Sequence, residues 1–134
     1  MMNTIISLIA AAVTFGTVLM YGTLGEVLTE RSGNLNLGVE GIMFMGGAFG
    51  LGGVFYYEQA VGEANSSAAV ALLIALASAF AAGAIASLIF SFLTITLRAN
   101  QNVTGLALTI FGTGVGQFTG EYMRVHQGGY VALS

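Results

Sequence analysis

Four stretches of this chain carry no charge: residues 4–24, 41–57, 67–97 and 105–120. All nine Asp, Glu, Lys and Arg residues lie between or after them. A helix needs about 20 mostly apolar residues to cross the hydrocarbon core of a bilayer. In lipid the backbone must satisfy its own N–H and C=O groups, which leaves helices or a closed barrel. Barrel strands alternate apolar and polar residues over short segments, whereas these runs are continuously apolar. The expected fold is therefore all-α, a polytopic transmembrane helical bundle with about four spanning helices. The second run is short and glycine-rich, the third is longer than one perpendicular crossing needs, and the fourth is marginal in length.

Composition agrees with a bilayer setting. Hydrophobic residues make up 56% of the 134 and charged residues 7%, against about 25% charged in a soluble domain. The first run could be mistaken for a signal peptide, but it lacks a basic leader and is too long for an h-region. Only three basic residues are present, so there is no patch for nucleic acid. The absence of cysteine excludes disulfides and thiolate chemistry. Proline is absent too, and 20 glycines take over the task of letting helices approach closely. Gly46 and Gly50 are four apart, as are Gly112 and Gly116, and then Gly116 and Gly120. That spacing lines one helix face with small residues and suits packing.

Alternation of spans places the first and third connections on one side of the membrane. They carry Arg31 and Arg98, while the second connection, with Glu58 and Glu63, has no Lys or Arg. The positive-inside rule puts Arg31 and Arg98 in the cytoplasm and the N-terminus outside, although Arg124 in the polar tail opposes it.

Most chemical motifs fail on inspection. "GTGVG" at 112–116 lies inside an apolar run, without the strand and helix start a phosphate cradle needs. His126 is the only histidine and reads as a solvated loop residue. Asn65-Ser66-Ser67 and Asn102-Val103-Thr104 fit a glycosylation pattern, but nothing else suggests a secreted context. Neither HExxH nor GxSxG occurs. No catalytic, metal or cofactor site is expected, and the scattered Ser and Thr hydroxyls are expected to bond to helix carbonyls.

The polar connections remain. In "GEVLTERSGNLNLGVEG" (25–41), Glu26, Glu30 and Arg31 stand close enough to neutralise one another in a loop at the membrane surface. Asn34, Asn36 and Glu40 instead alternate with Leu35, Leu37 and Val39 and lead into the second run. Such a pattern suggests irregular backbone, which membrane depth tolerates only beside protein or an aqueous cavity. An ionisable residue there is a candidate functional group. Asn100, Gln101, Asn102 and Thr104 lead similarly into the fourth run. Two polar lead-ins on one side would suit a pathway for a polar solute.

These residues carry a family resemblance. Residues 25–43 match the arrangement GE-x-x-x-ER-x-G-x-x-NLG-x-EG-x-M, and residues 98–108 read RANQ-x-x-x-GLAL. In this the chain resembles permease subunits of ABC transporters for simple sugars and nucleosides. Sister permeases for branched-chain amino acids, which favour a different glycine–asparagine motif, rank second. A small channel or structural membrane subunit is the alternative from another class. The resemblance implies a multi-pass inner-membrane protein that moves solute without itself being an enzyme. Its partners would be a cytoplasmic ATP-binding cassette ATPase, a second permease and an extracytoplasmic solute-binding protein. It also implies that Asn34, Asn36, Gly38 and Glu40, with Asn100, Gln101 and Gly105, are pathway-lining or structural positions. Family members run to about twice this length, so the chain is expected to correspond to the N-terminal portion of a permease and to be incomplete relative to the full fold. The segment that docks on the ATPase would lie elsewhere, and the chain alone would not support transport.

Overall fold

The computed structural model describes residues 2–62 and 65–127. Four long helices account for nearly all of them: α1 (Met2–Arg31), α2 (Val39–Val61), α3 (Ala68–Ser91) and α4 (Gln101–Gln127). A π-helical turn, Phe92–Thr96, extends α3. The described residues contain no strand, so the expected all-α class holds. Three helices are long and apolar enough to cross a membrane: α1, α2, and α3 with its π turn. α4 is long enough, with 27 residues, but its polar flanks at Gln101–Thr104 and Gln117–Gln127 dilute the apolar centre.

Helix ends fall later than the uncharged runs do. α1 continues through Glu26, Glu30 and Arg31, because Glu, Leu and Arg are good helix formers and nothing interrupts them before Ser32-Gly33. Its 30 residues span about 45 Å at 1.5 Å per residue, against a hydrocarbon core of about 30 Å. The charges therefore sit on the last turns of an over-long helix rather than in a loop. A glycine then stops the helix. Gly33, at φ +86°, donates to Glu30 O at 2.9 Å, and Asn34 N donates to Thr29 O at 3.2 Å, the paired bonds of a Schellman cap. α2 likewise runs past Tyr57 through Glu58 to Val61, and Gly62 N closes it on Glu58 O at 2.8 Å. Glu58 is thus helical and half-buried, not a loop residue, while Glu63 lies outside the described residues.

α2 is the centre of the bundle, packed along its length against α3 on one side and α4 on the other. The buried apolar residues follow from that: Met45, Val54 and Phe55 on α2, Ala71, Ala82, Ala86 and Phe90 on α3, and Leu108 and Met123 on α4. α1 touches α2 lightly, and none of its most apolar window is buried. Its Leu, Ile, Val and Phe side chains face outward, as apolar groups can in lipid but not in water.

The glycines set how near the helices come. On α2, Gly50 lies against α3, where an added Cβ would stand 3.1 Å from Ala75 O, and Gly46 faces Ala79 with room to spare at 3.5 Å. Both therefore lie at a helix interface. The α2–α4 crossing is closer. A Cβ at Gly41 would fall 2.6 Å from Leu108 O, and one at Gly112 would fall 2.5 Å from Gly41 O. Gly116 accepts the ring of Phe44, whereas Gly120 has open space around it. Ser and Thr hydroxyls bond back to helix carbonyls as expected, for example Thr113 to Thr109 O (2.9 Å) and Thr119 to Val115 O (2.8 Å).

Candidate functional site

The two polar connections meet. Residues 32–38 link α1 to α2, and residues 97–100 link the π turn to α4. Gln101, the first residue of α4, bridges them with both ends of its amide. Gln101 Nε2 donates to Asn34 Oδ1 at 3.0 Å, and Leu35 N donates to Gln101 Oε1 at 2.9 Å. About two turns further along α4, Thr109 Oγ1 donates to Leu37 O at 2.8 Å. These bonds satisfy backbone groups that have no helical partner, the condition for irregular backbone inside a membrane protein. They also place both connections at the same end of the bundle.

The close glycine contacts make this reach possible. Gly105 lies so near the connection that a Cβ would stand 2.8 Å from Leu37 N. With Gly41 and Gly112, it brings the backbones of α2 and α4 together. Sequence reasoning singled out Gly46, Gly50, Gly112 and Gly116 on their four-residue spacing. It missed Gly41 as a packing residue, since that role depends on a partner helix. The seven-residue step from Gly105 to Gly112, two turns of one face, was the available signal.

Asn36 organises the connection's second half. It is buried, and its Oδ1 accepts Gly38 N at 3.0 Å, an Asx turn that leads into α2. Asn36 N donates to Glu26 Oε1 at 3.1 Å, a polar tie between α1 and the connection. Glu26 Oε2 is buried and lacks a partner among the described residues, an arrangement that costs about 1–3 kcal/mol. Glu26, Glu30, Asn36 and Glu40 line one groove of 380 Å³ between α1 and α2. Glu40, in the first turn of α2, is exposed and favours the positive end of that helix dipole. Mutual neutralisation of Glu26, Glu30 and Arg31 does not occur. The described residues hold a single ion pair, Arg124–Glu121 at the far end of α4, where the guanidinium keeps the Glu121 carboxyl below its ordinary range.

The second connection is built differently from the first. Asn100 caps α4, its Oδ1 accepting Asn102 N at 3.0 Å and Val103 N at 3.2 Å. Asn102 is exposed and Thr104 is buried. Before the cap, Arg98 adopts φ +52°, a left-handed conformation costing about 1–2 kcal/mol for a residue with a Cβ. That kink lets Ala99 N close the widened turn on Leu93 O at 2.9 Å. Sequence reasoning gave no sign of the π turn or of this strained arginine.

A bundle of membrane-crossing helices, with a polar joint of loop backbone at one end of its most central helix, is the architecture of a multi-pass membrane protein. A sequence profile described as branched-chain amino acid transport system / permease component matches residues 7–130, and the chain belongs to that family. It is 40% identical over 114 residues to a protein of Haloferax volcanii named as a glucose ABC transporter permease, a match covering 85% of this chain and 31% of the relative. It is 35% identical over 111 residues to the guanosine ABC transporter permease protein of Bacillus subtilis, covering 83% and 33%. A nucleoside ABC transporter permease protein of Lactococcus lactis is 28% identical over 116 residues, covering 87% and 35%. The chain thus spans about a third of the length of these relatives, which are nearer three times its length than twice. No solved structure matches it.

Proposed function

We propose that this chain contributes to a permease subunit of an ATP-binding cassette importer for nucleosides or simple sugars, and that its polar joint borders the solute route. The observation that carries this reading is the joint itself. Asn34, Gln101 and Thr109 stabilise non-helical backbone beside the carboxylate-lined groove; membrane depth tolerates such backbone against protein or lining an aqueous cavity, and the adjoining groove supports the second. Asn34, Asn36, Gly38, Glu40, Asn100, Gln101, Asn102 and Thr104 are the proposed route or its immediate support. Glu26, Glu30 and Arg31, with the packing glycines, are structural. The solute class rests on the names of the relatives, and neutral polar solutes suit the amides and hydroxyls present.

In this reading ATP is hydrolysed by a separate cytoplasmic ATPase, a second permease completes the route, and an extracytoplasmic binding protein delivers solute. The joint faces the cytoplasm and the N-terminus lies outside, since Arg31 and Arg98 share the joint's end of the bundle. The test is uptake of labelled guanosine and D-glucose into proteoliposomes containing the assembled transporter. ATP-driven accumulation is expected, with none when this chain is reconstituted with the ATPase alone. Accumulation of leucine instead would favour the amino acid reading, and ATP-independent leakage would favour a channel.

A further inference from the structure

The first connection also borders a smaller pocket of 310 Å³. It opens between the end of α1 and the π-turned end of α3, and five polar residues line it: Thr29, Ser32, Asn34, Ser91 and Thr94. Only Asn34 among them was a candidate from sequence. Their hydrogen bonds give the pocket a definite character. Thr29 Oγ1 donates to Gly25 O (2.9 Å), Ser32 Oγ to Thr29 O (2.7 Å) and Thr94 Oγ1 to Phe90 O (2.9 Å). A hydroxyl has one proton to give, so these three oxygens have lone pairs left and no proton. Each can therefore only accept from a ligand. Two donors complement them. Asn34 Oδ1 is held by Gln101, which leaves the Asn34 amide N–H groups without an acceptor among the described residues. Ser91 Oγ likewise has no partner among them.

We propose that this pocket is a subsite for a neutral, hydroxyl-rich solute moiety such as a sugar ring. Sugar hydroxyls both donate and accept, so they satisfy three fixed acceptors and two free donors together. A phosphate or carboxylate brings acceptors only, so it can use the free donors but leaves the three acceptors unmet, with no cation among the lining residues to offset its charge. The volume is at the small end of the roughly 300–1,000 Å³ range of ligand pockets, which suits a single ring rather than a larger ligand. The backbone accounts for the placement. The π turn carries Thr94, buried at 8% exposure, toward the capped end of α1, and the Gln101 bridge presents Asn34 from the other side. The proposal rests on the solute-route reading and names the part of the solute that this face of the joint recognises.

The chain in lipid nanodiscs can be titrated with D-glucose, guanosine, glucose 6-phosphate and guanosine 5′-monophosphate, with binding read by saturation-transfer NMR. Both neutral probes are expected to bind, and both phosphorylated ones at least tenfold more weakly. Thr94→Val keeps the side-chain shape and removes the acceptor, and is expected to weaken both neutral probes at least fivefold with an unchanged circular dichroism spectrum. Ser91→Ala, at a residue with no internal bond to lose, is expected to act in the same direction. Neutral binding unchanged in both variants would overturn the subsite and leave the solute-route reading standing. Equal binding of the phosphorylated probes would also overturn the subsite. Absence of any neutral binding would overturn the subsite, whereas the solute-route reading falls only if the assembled transporter fails to accumulate solute.

Discussion

Gly41→Ala tests the close backbone contact between α2 and α4. An added Cβ would stand 2.6 Å from both Leu108 O and Thr109 Cα, and ordinary contact begins at 3.4 Å. Helices α2 and α4 must therefore separate by about 0.8 Å, and because the obstructing atoms are backbone, no side-chain rotation relieves them. Overpacking of this kind costs about 1–3 kcal/mol. Against it stands the intrinsic gain of Gly→Ala in a helix, about 1 kcal/mol. A net loss of up to about 2 kcal/mol follows from these two terms, and the same separation strains the Thr109–Leu37 bond across the joint. Gly46→Ala is the internal control, since its Cβ would meet Ala79 O at 3.5 Å and keep the propensity gain. Unfolding of the chain by sodium dodecyl sulfate titration in mixed micelles reads both variants. Gly41→Ala is expected to unfold at lower detergent fraction than the wild type, and Gly46→Ala at an equal or higher one. Equal midpoints for the two variants would refute the claim that backbone proximity, rather than glycine content, holds α2 to α4.

Gln101→Leu removes both bonds of the bridge and is expected to cost about 1–3 kcal/mol, since Leu35 N loses its partner. Gln101→Glu keeps the acceptor for Leu35 N and should lose less, and amide hydrogen exchange at Leu35 separates the two. Arg98→Gly relieves the left-handed strain and is expected to raise the unfolding midpoint by the equivalent of about 1 kcal/mol; a fall would mean that the guanidinium contributes more than its backbone costs. In the assembled transporter, Glu40→Ala is expected to reduce uptake more than Glu63→Ala, and equal effects would remove any special role for the first connection.

The sequence marked helices where the physics was local. Long uncharged runs require membrane helices, and Gly33 after Glu30-Arg31-Ser32 is a readable stop. Charge was a poorer guide to helix ends. Glu26, Glu30, Arg31 and Glu58 looked like loop residues because they bound apolar runs, but a helix longer than the hydrocarbon core carries its charges on turns beyond it. The polar character of the two connections was equally visible. Their meeting was not, because the Gln101–Asn34 bridge joins residues 67 apart and exists only once α2 and α4 have packed on Gly41, Gly105 and Gly112. The hydroxyl pocket has the same origin, since Thr29 and Thr94 become neighbours through the α1 cap and the π turn.

Because the chain has no cysteine, a single introduced cysteine is the only thiol among these residues, and the cysteine-free sequence in the same assembly gives the background. The most direct test of the central claim places one at Asn34, Glu40 or Asn102 on the proposed route, and one at Leu72 or Ile110 on the exposed apolar surface. Each variant in the assembled transporter is then treated with a membrane-impermeant thiol reagent, with and without solute. The account predicts modification at the three joint positions, slowed by guanosine or D-glucose at Asn34 and Glu40, and none at Leu72 or Ile110. Joint positions that resist the reagent, or that react at the same rate with and without solute, would contradict it.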